Sequence, residues 1–228
     1  MLVVRNTVVG PFAENTLLVG DGETGEAILI DPGGTGGTGS PGGDLERTLL
    51  MREPGAFRIA RIFLTHGHID HVAGCAEAKG RLGVPCQIHR GDAAWLDAIP
   101  QQAEMFGFEG ARERPDIDHF HEDGETFTLG EHEGRIIHTP GHSRGSCCLF
   151  FEKARILFAG DTLFAGSVGR TDLPGGDFEA LERSIREKLF PLGDDVRFFP
   201  GHGPSATLGD ERSQNPFVGE VARRGRFV

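Results

Sequence analysis

The apolar positions of this chain change period several times along its length, and those changes mark out its elements. Residues 2–9, 15–19 and 27–31 are short runs rich in Val, Leu and Ile, the composition of strands. Asp21-Gly22 and Gly25 supply turn residues between the second and third runs, so an antiparallel beginning is expected. Over 44–53 the spacing becomes helical, with Leu45, Leu49 and Leu50 on one side. A β-prone run at 59–65 follows. Residues 71–82, closed by Gly83 and Pro85, read as one helix. Residues 84–89 read as a strand and 92–99 as a helix capped by Asp92. Over 101–123 the pattern fails, and this acidic segment with Phe106, Phe108 and Phe120 is either a flap over a site or a long surface connection. Four short strands are expected at 126–129, 134–138, 146–151 and 155–159. An amphipathic helix follows at 177–190, with Leu181, Ile185 and Leu189 on one face, and a last strand at 196–199. Strands, helices, strands, helix, strand in that order predict an α/β chain, one domain over 1–228, with two sheets enclosed between helical layers.

The stretch Thr65-His66-Gly67-His68-Ile69-Asp70-His71 interrupts this pattern with three imidazoles and a carboxylate in six positions. Neutral imidazole nitrogen and carboxylate oxygen are the donors that Zn²⁺, Fe²⁺ and Mn²⁺ accept. The apolar run before it resembles a buried strand delivering His66 and His68 to a turn, where both face one point. Asp70 and His71 open the next helical pattern and serve a second point nearby, so two adjacent metals are expected. Three later segments carry isolated polar residues at the ends of apolar strands, beside glycine or proline. They are Thr139-Pro140-Gly141-His142-Ser143, Phe158-Ala159-Gly160-Asp161-Thr162 and Phe199-Pro200-Gly201-His202-Gly203. Each strand delivers one donor, and His142 and His202 share the local form Pro-Gly-His.

Charge narrows the function. With a formal charge of -11 and only 23 Lys and Arg among 228 residues, the chain lacks the basic clusters that nucleic acid requires. No run of about 18 apolar residues is present and the N-terminus lacks a signal-peptide pattern, so a soluble, cytoplasmic protein without a membrane partner is expected, either monomer or homodimer. Cys75, Cys86, Cys147 and Cys148 show no C-x-x-C spacing and read as small core residues, with Cys147 and Cys148 on opposite faces of a strand. Gly34 to Gly39 spells G-x-G-x-x-G after a strand, but no helix opens on its last glycine, so 33–43 is read as a mobile loop near the site mouth rather than a cofactor fingerprint. His119-Phe120-His121 imitates the metal spacing among acidic residues and reads as a solvated loop.

Taken in order, His66, His68, Asp70, His71, His142, Asp161 and His202 resemble the H-x-H-x-D-H signature and later donor positions of the metallo-β-lactamase superfamily across nearly the whole chain. The resemblance implies a four-layer αββα sandwich. It implies two divalent ions, zinc foremost with iron or manganese as alternatives: one on His66, His68 and His142, the other on Asp70, His71 and His202, with Asp161 bridging. Asp161 stands where antibiotic-hydrolysing members usually carry cysteine, and there is no tyrosine of the kind quorum-lactone hydrolases use. The segment 158–176 and the ending Gly201-His202-Gly203-Pro204 look like the glyoxalase II branch, the compact bacterial type. That branch implies hydrolysis of hydroxyacylglutathione thioesters, with Asp70 accepting or relaying the water proton and Asp161 as the second catalytic residue. Arg170 either pairs with Asp172 or orients a ligand, and Thr65, Ser143 and Thr162 are candidate hydrogen-bonders behind the ligands. The alternatives are a mononuclear-iron glutathione persulfide dioxygenase and a metal-binding protein without catalysis. Structural zinc sites are usually thiolate-rich, and no cysteine joins this constellation.

Overall fold

Fourteen strands and seven α-helices occupy the residues that the computed structural model describes, 1–34, 43–53, 57–108 and 113–222. The first sheet has the order β1 (Leu2–Val9), β2 (Glu14–Asp21), β3 (Glu26–Ile30), β4 (Arg58–Phe63), β5 (Cys86–His89), β6 (His119–His121). Its first three strands are antiparallel and the rest parallel, with α1 (Asp44–Leu50), α2 (Ile69–Val72), α3 (Cys75–Leu82), α4 (Ala93–Asp97) and α5 (Ile99–Phe106) in the connections. The second sheet runs β14 (Ala206–Thr207), β13 (Arg197–Pro200), β10 (Ile156–Gly160), β9 (Cys147–Phe151), β8 (His132–His138), β7 (Thr126–Leu129). β11 (Leu163–Phe164) and β12 (Ser167–Val168) form a small hairpin, while α6 (Phe178–Arg183) and α7 (Leu208–Gln214) cover the second sheet.

Three apolar cores make this a four-layer αββα sandwich. Strand alternation creates them, since successive side chains leave opposite faces. Leu18 and Leu29 face the helices of the first half, while Leu17, Val19, Ile28 and Ile30 face inward and meet Leu149, Phe151 and Phe158 of the second sheet. In β9, Cys147 enters that central core and Cys148 the outer one under α6, as the strand reading requires. All four cysteines are free and buried.

Several expectations are corrected. The helix expected at 71–82 is two helices, because Gly74 passes against the Pro32–Gly33 backbone and its N–H bonds to the Pro32 carbonyl at 3.0 Å. Asp92 does not cap a helix with its side chain, and the helix expected at 92–99 is a single 3₁₀ turn at Arg90–Asp92 followed by α4 and α5. The described part of 101–123 is neither flap nor plain connection. It completes α5, whose Pro100 sits in the first turn where its missing N–H costs nothing, and then supplies edge strand β6. His121 lies in that strand fully buried rather than in a solvated loop. The helix at 177–190 keeps its apolar face, but past Arg183 it widens into a π turn at Ser184–Leu189, where the Ser184 hydroxyl donates to the Pro140 carbonyl. Residues 35–42 of the glycine-rich stretch lie outside the described residues. Among the described residues no helix is long and apolar enough to cross a membrane.

Candidate metal centre

The donors converge at one edge of the sandwich, where strands of both sheets end. β4 ends at Phe63, and the turn after it carries His66 and His68 into α2, which supplies Asp70 and His71. His142 lies in the loop between β8 and β9, Asp161 directly after β10, and His202 after β13. Gly141 in the His142 loop sits at φ +137°, and a Cβ there would collide with the Leu181 backbone of α6. Only glycine lets the helix pack this close. The sheets are joined at this edge by Asn15, whose N–H donates to Gly201 O at 2.7 Å and whose side-chain amide donates to Pro200 and Gly203.

Two groups of three donors result. His66, His68 and His142 form the first, Asp70, His71 and His202 the second, and within each group the donor atoms lie inside 4.8 Å of one another. In the first, His142 Nε2 is 2.8 Å from His68 Nδ1 and 3.2 Å from His66 Nε2. In the second, His202 Nε2 is 3.3 Å from His71 Nε2 and 3.2 Å from Asp70 Oδ2. Asp161 stands between them, with Oδ1 3.3 Å from His71 Nε2 and Oδ2 3.7 Å from His142 Nε2. Donor atoms around a tetrahedral zinc with bonds of about 2.0–2.1 Å are separated by about 3.3 Å, the spacing seen here.

The outward-facing nitrogens show that the His66–His142 and His71–His202 contacts are not hydrogen bonds between neutral rings. His142 Nδ1 donates to the Arg170 carbonyl at 2.8 Å, His202 Nδ1 to the Phe12 carbonyl at 3.0 Å, and His71 Nδ1 to Asp31 Oδ2 at 2.9 Å. Thr65 Oγ1 donates to Asp31 Oδ2, so the 3.1 Å contact from His66 Nδ1 is a donation to that hydroxyl. Each of these rings is thereby fixed in the tautomer whose Nε2 carries a lone pair toward the centre. Lone pairs facing one another at such distances repel unless a cation lies between them. Asp161 Oδ1 and His68 Nε2 are buried without any hydrogen-bond partner among the described residues, and a cation would satisfy the first of these. The donor set therefore fits a pair of divalent ions.

Electrostatics divide the two groups. Burial, reinforced by neighbouring imidazoles, holds His66 well below the ordinary imidazole range, and burial together with His142 brings His68 down to about 3, so both stay neutral as ligands must. At His71 burial acts downward too, yet Asp161 and Asp70 overcome it and raise the group well above its ordinary value. His202 is likewise raised, burial being outweighed by Asp70 and Asp161. Both carboxylates are lowered in spite of burial, chiefly by His71. The second group is a place that demands positive charge.

The remaining expected residues fall into different positions. Arg170 and Asp172 pair with each other on the surface at 2.7 and 2.8 Å, and it is the Arg170 carbonyl, not its guanidinium, that holds His142. Thr162 bonds to Thr139 at 2.8 Å. Ser143 donates to Asp92 at 2.6 Å. Residues the sequence reading passed over are Asp31, Glu14 and Asp92. Asp31 accepts from Thr65 N, Thr65 Oγ1 and His71 Nδ1, and holds a positive φ of 48° unusual for a non-glycine residue. It also belongs to a third cluster with His66 and His71, but its lone pairs are already engaged behind the ligands. Its signal was visible, since Asp31-Pro32-Gly33 ends an apolar strand as the Pro-Gly-His segments do. Glu14 is fully buried beside Asp31, and burial pushes its carboxyl well up.

Comparison with known proteins follows the same lines. The model of the metallo-beta-lactamase superfamily matches residues 9–202. The chain is 36% identical over 217 residues to the hydroxyacylglutathione hydrolase GloC of Haemophilus influenzae, covering 92% of this chain and 95% of that one. Among solved structures, BLEG-1 B3 metallo-beta-lactamase superposes with a TM-score of 0.82 at 32% identity, covering 95% of this chain and 99% of the other. TTHA1623 in a di-iron-bound form superposes at 0.79 with 35% identity, covering 93% and 99%.

Proposed function

The chain belongs to the metallo-β-lactamase superfamily, and from that premise we propose that it is a metal-dependent hydrolase of thioesters, with a hydroxyacylglutathione such as S-lactoylglutathione as substrate. The observation that carries the reading is the pair of donor groups with Asp161 reaching into both. His66, His68 and His142 would hold one ion, Asp70, His71 and His202 the other. Divalent ions so held lower the pKa of water toward about 7 and polarise a carbonyl oxygen.

The protein's own groups do the rest. Asp70 retains 13% exposure of its side chain, with Oδ2 at 3.2 Å from His202 Nε2, so its carboxylate is placed to take up the proton that the attacking water releases. His202, 24% exposed, marks the open side of the centre. The Phe164 ring lies edge-on to it at 6.0 Å, and Phe12 packs on Phe106 and Phe108, so apolar surface flanks the entrance and keeps bulk water from the carbonyl. A thiolate leaves as a weak base and needs no protonating residue. The similarity to the Haemophilus hydrolase supports the substrate class, and the similarity to the di-iron protein supports two ions.

The test is metal analysis of protein purified without added metal, together with three assays: hydrolysis of S-lactoylglutathione, oxygen consumption with glutathione persulfide, and turnover of a chromogenic β-lactam. Two ions per chain with thioester hydrolysis is the expected result. One iron with oxygen consumption would make the protein a persulfide dioxygenase, and β-lactam turnover without thioester turnover would make it an antibiotic hydrolase. Bound metal with no turnover would mean a binding protein.

A further inference from the structure

Asp92 is fully buried, and its carboxylate accepts three hydrogen bonds. Oδ2 accepts from Gly67 N at 2.9 Å and from Ser143 Oγ at 2.6 Å, and Oδ1 accepts from Gly145 N at 2.6 Å. Gly67 lies between His66 and His68, while Ser143 follows His142 directly. One carboxylate thus grips the two loops that carry the whole first donor group, one loop from each half of the chain. The packing is close on both sides. A Cβ on Gly67 would lie 2.7 Å from Trp95 Cβ, and one on Gly145 2.6 Å from Asp92 N.

The helices after Asp92 continue the grip. Trp95 sets its ring edge-on against His68, with centroids 4.5 Å apart. Gln102 accepts from Ile69 N at 3.0 Å and donates to the Gly67 and Trp95 carbonyls, so both ends of the His68 turn are tied to the same segment.

We infer that Asp92 is the positioning residue of the His66–His68–His142 group: by bonding Gly67 on one side and Ser143 and Gly145 on the other, it sets how closely His142 approaches His66 and His68 across the seam of the two sheets. The assignment rests on the metal centre proposed above and adds to it a residue that touches neither ion nor substrate. It also separates the two ions, because none of the three bonds of Asp92 reaches Asp70, His71 or His202. An amide in its place could accept on one side only and would turn an N–H toward a donor on the other, which opens the clasp without changing its volume.

The experiment is titration of full-length Asp92→Asn with Zn²⁺ against a chromophoric chelator, and with Co²⁺ read by visible absorption. One of two ions should bind about 10–100-fold more weakly than in the wild type, the range for partners behind metal ligands, while the other keeps its affinity. The visible bands of the first Co²⁺ should shift or lose intensity. A role in folding alone predicts something else: a lower melting temperature for the metal-free variant, with unchanged affinities and an unchanged Co²⁺ spectrum. That result would overturn the assignment, as would equal weakening of both ions. If Asp92→Asn fails to fold, Ser143→Ala removes one of the three bonds, and the same selective weakening, smaller in size, is expected there; its absence would overturn the assignment equally. Binding of two ions by the wild type without turnover would sink the thioesterase reading and leave this assignment standing.

Discussion

The first sheet brings its four donors to the centre on a single turn, His66 to His71, whereas the second brings His142, Asp161 and His202 from the ends of three strands spread over 60 residues. In the turn, one short stretch of backbone carries all four donors. Asp31 locks it from behind through Thr65 and His71 together. In the second sheet each donor's position depends on a different strand pairing, including the irregular register between Phe158 and Gly160 where β10 meets β13. In the proposed centre the turn would feed both ions, while His142 and His202 would each feed one. A lesion in what holds the turn as a whole, such as Asp31, should therefore act on both ions together, and a lesion at a strand end should pick one out.

Asp161 is the strand-end residue that breaks this rule, and replacing it should have the largest effect. Asp161→Asn is expected to lose both ions at ordinary concentrations and to lower turnover well beyond the roughly 10–100-fold of an outer-shell change. Metal analysis after desalting and a thioester assay read both, and retention of two ions would refute the bridge. Next come His142→Ala and His202→Ala, each expected to leave about one ion per chain, the former stripping the His66–His68 side and the latter the Asp70–His71 side. Loss of both ions from either would mean that the strand ends are coupled more tightly than the pairings suggest. Asp31→Asn should weaken both ions by about 10–100-fold, since its amide cannot accept from Thr65 and His71 as the carboxylate does. A chelator titration resolving two affinities would show it, and weakening of one ion only would contradict the shared-turn account.

The smallest effect concerns the edge of the first sheet. Burial, aided by His89 and His119, pushes His121 down to about 3, and neither of its ring nitrogens has a hydrogen-bond partner among the described residues. In the unfolded chain the group titrates near 6.5, so below that pH the unfolded state binds the extra proton. Stability present above about pH 6.5 is lost as the pH falls toward 3, by up to about 1.4 kcal/mol per pH unit. His121→Leu should flatten this acid slope in urea unfolding at pH 7 and pH 5, and equal slopes in variant and wild type would show that His121 is not the group responsible.

The contrast between the two regions also explains what the sequence made legible. Strands buried on both faces, such as β2, β3 and β9, were visible as short apolar runs because each face meets a different core. The donors were visible because imidazoles and carboxylates beside Pro and Gly stand out from apolar strands. Elements without an apolar period escaped: α7 has Leu208 as its one strongly apolar residue, and β11, β12 and β14 are two residues each. α5 begins at Ile99, where the expected 92–99 helix ends, with Pro100 in its first turn. Asp92 and Gln102 escaped for a different reason. Apart from the Trp95 carbonyl, their partners lie 25 to 53 residues away in the chain, and nothing local distinguishes a buried carboxylate that grips two loops from a helix cap.

Anomalous diffraction from crystals of the metal-loaded protein, recorded at the absorption edge of the bound metal, would test the dinuclear centre most directly. Two peaks about 3.5–4 Å apart are expected, one among His66, His68 and His142 and one among Asp70, His71 and His202, with Asp161 touching both. A lone peak, or two peaks that leave either group without an ion, would contradict it.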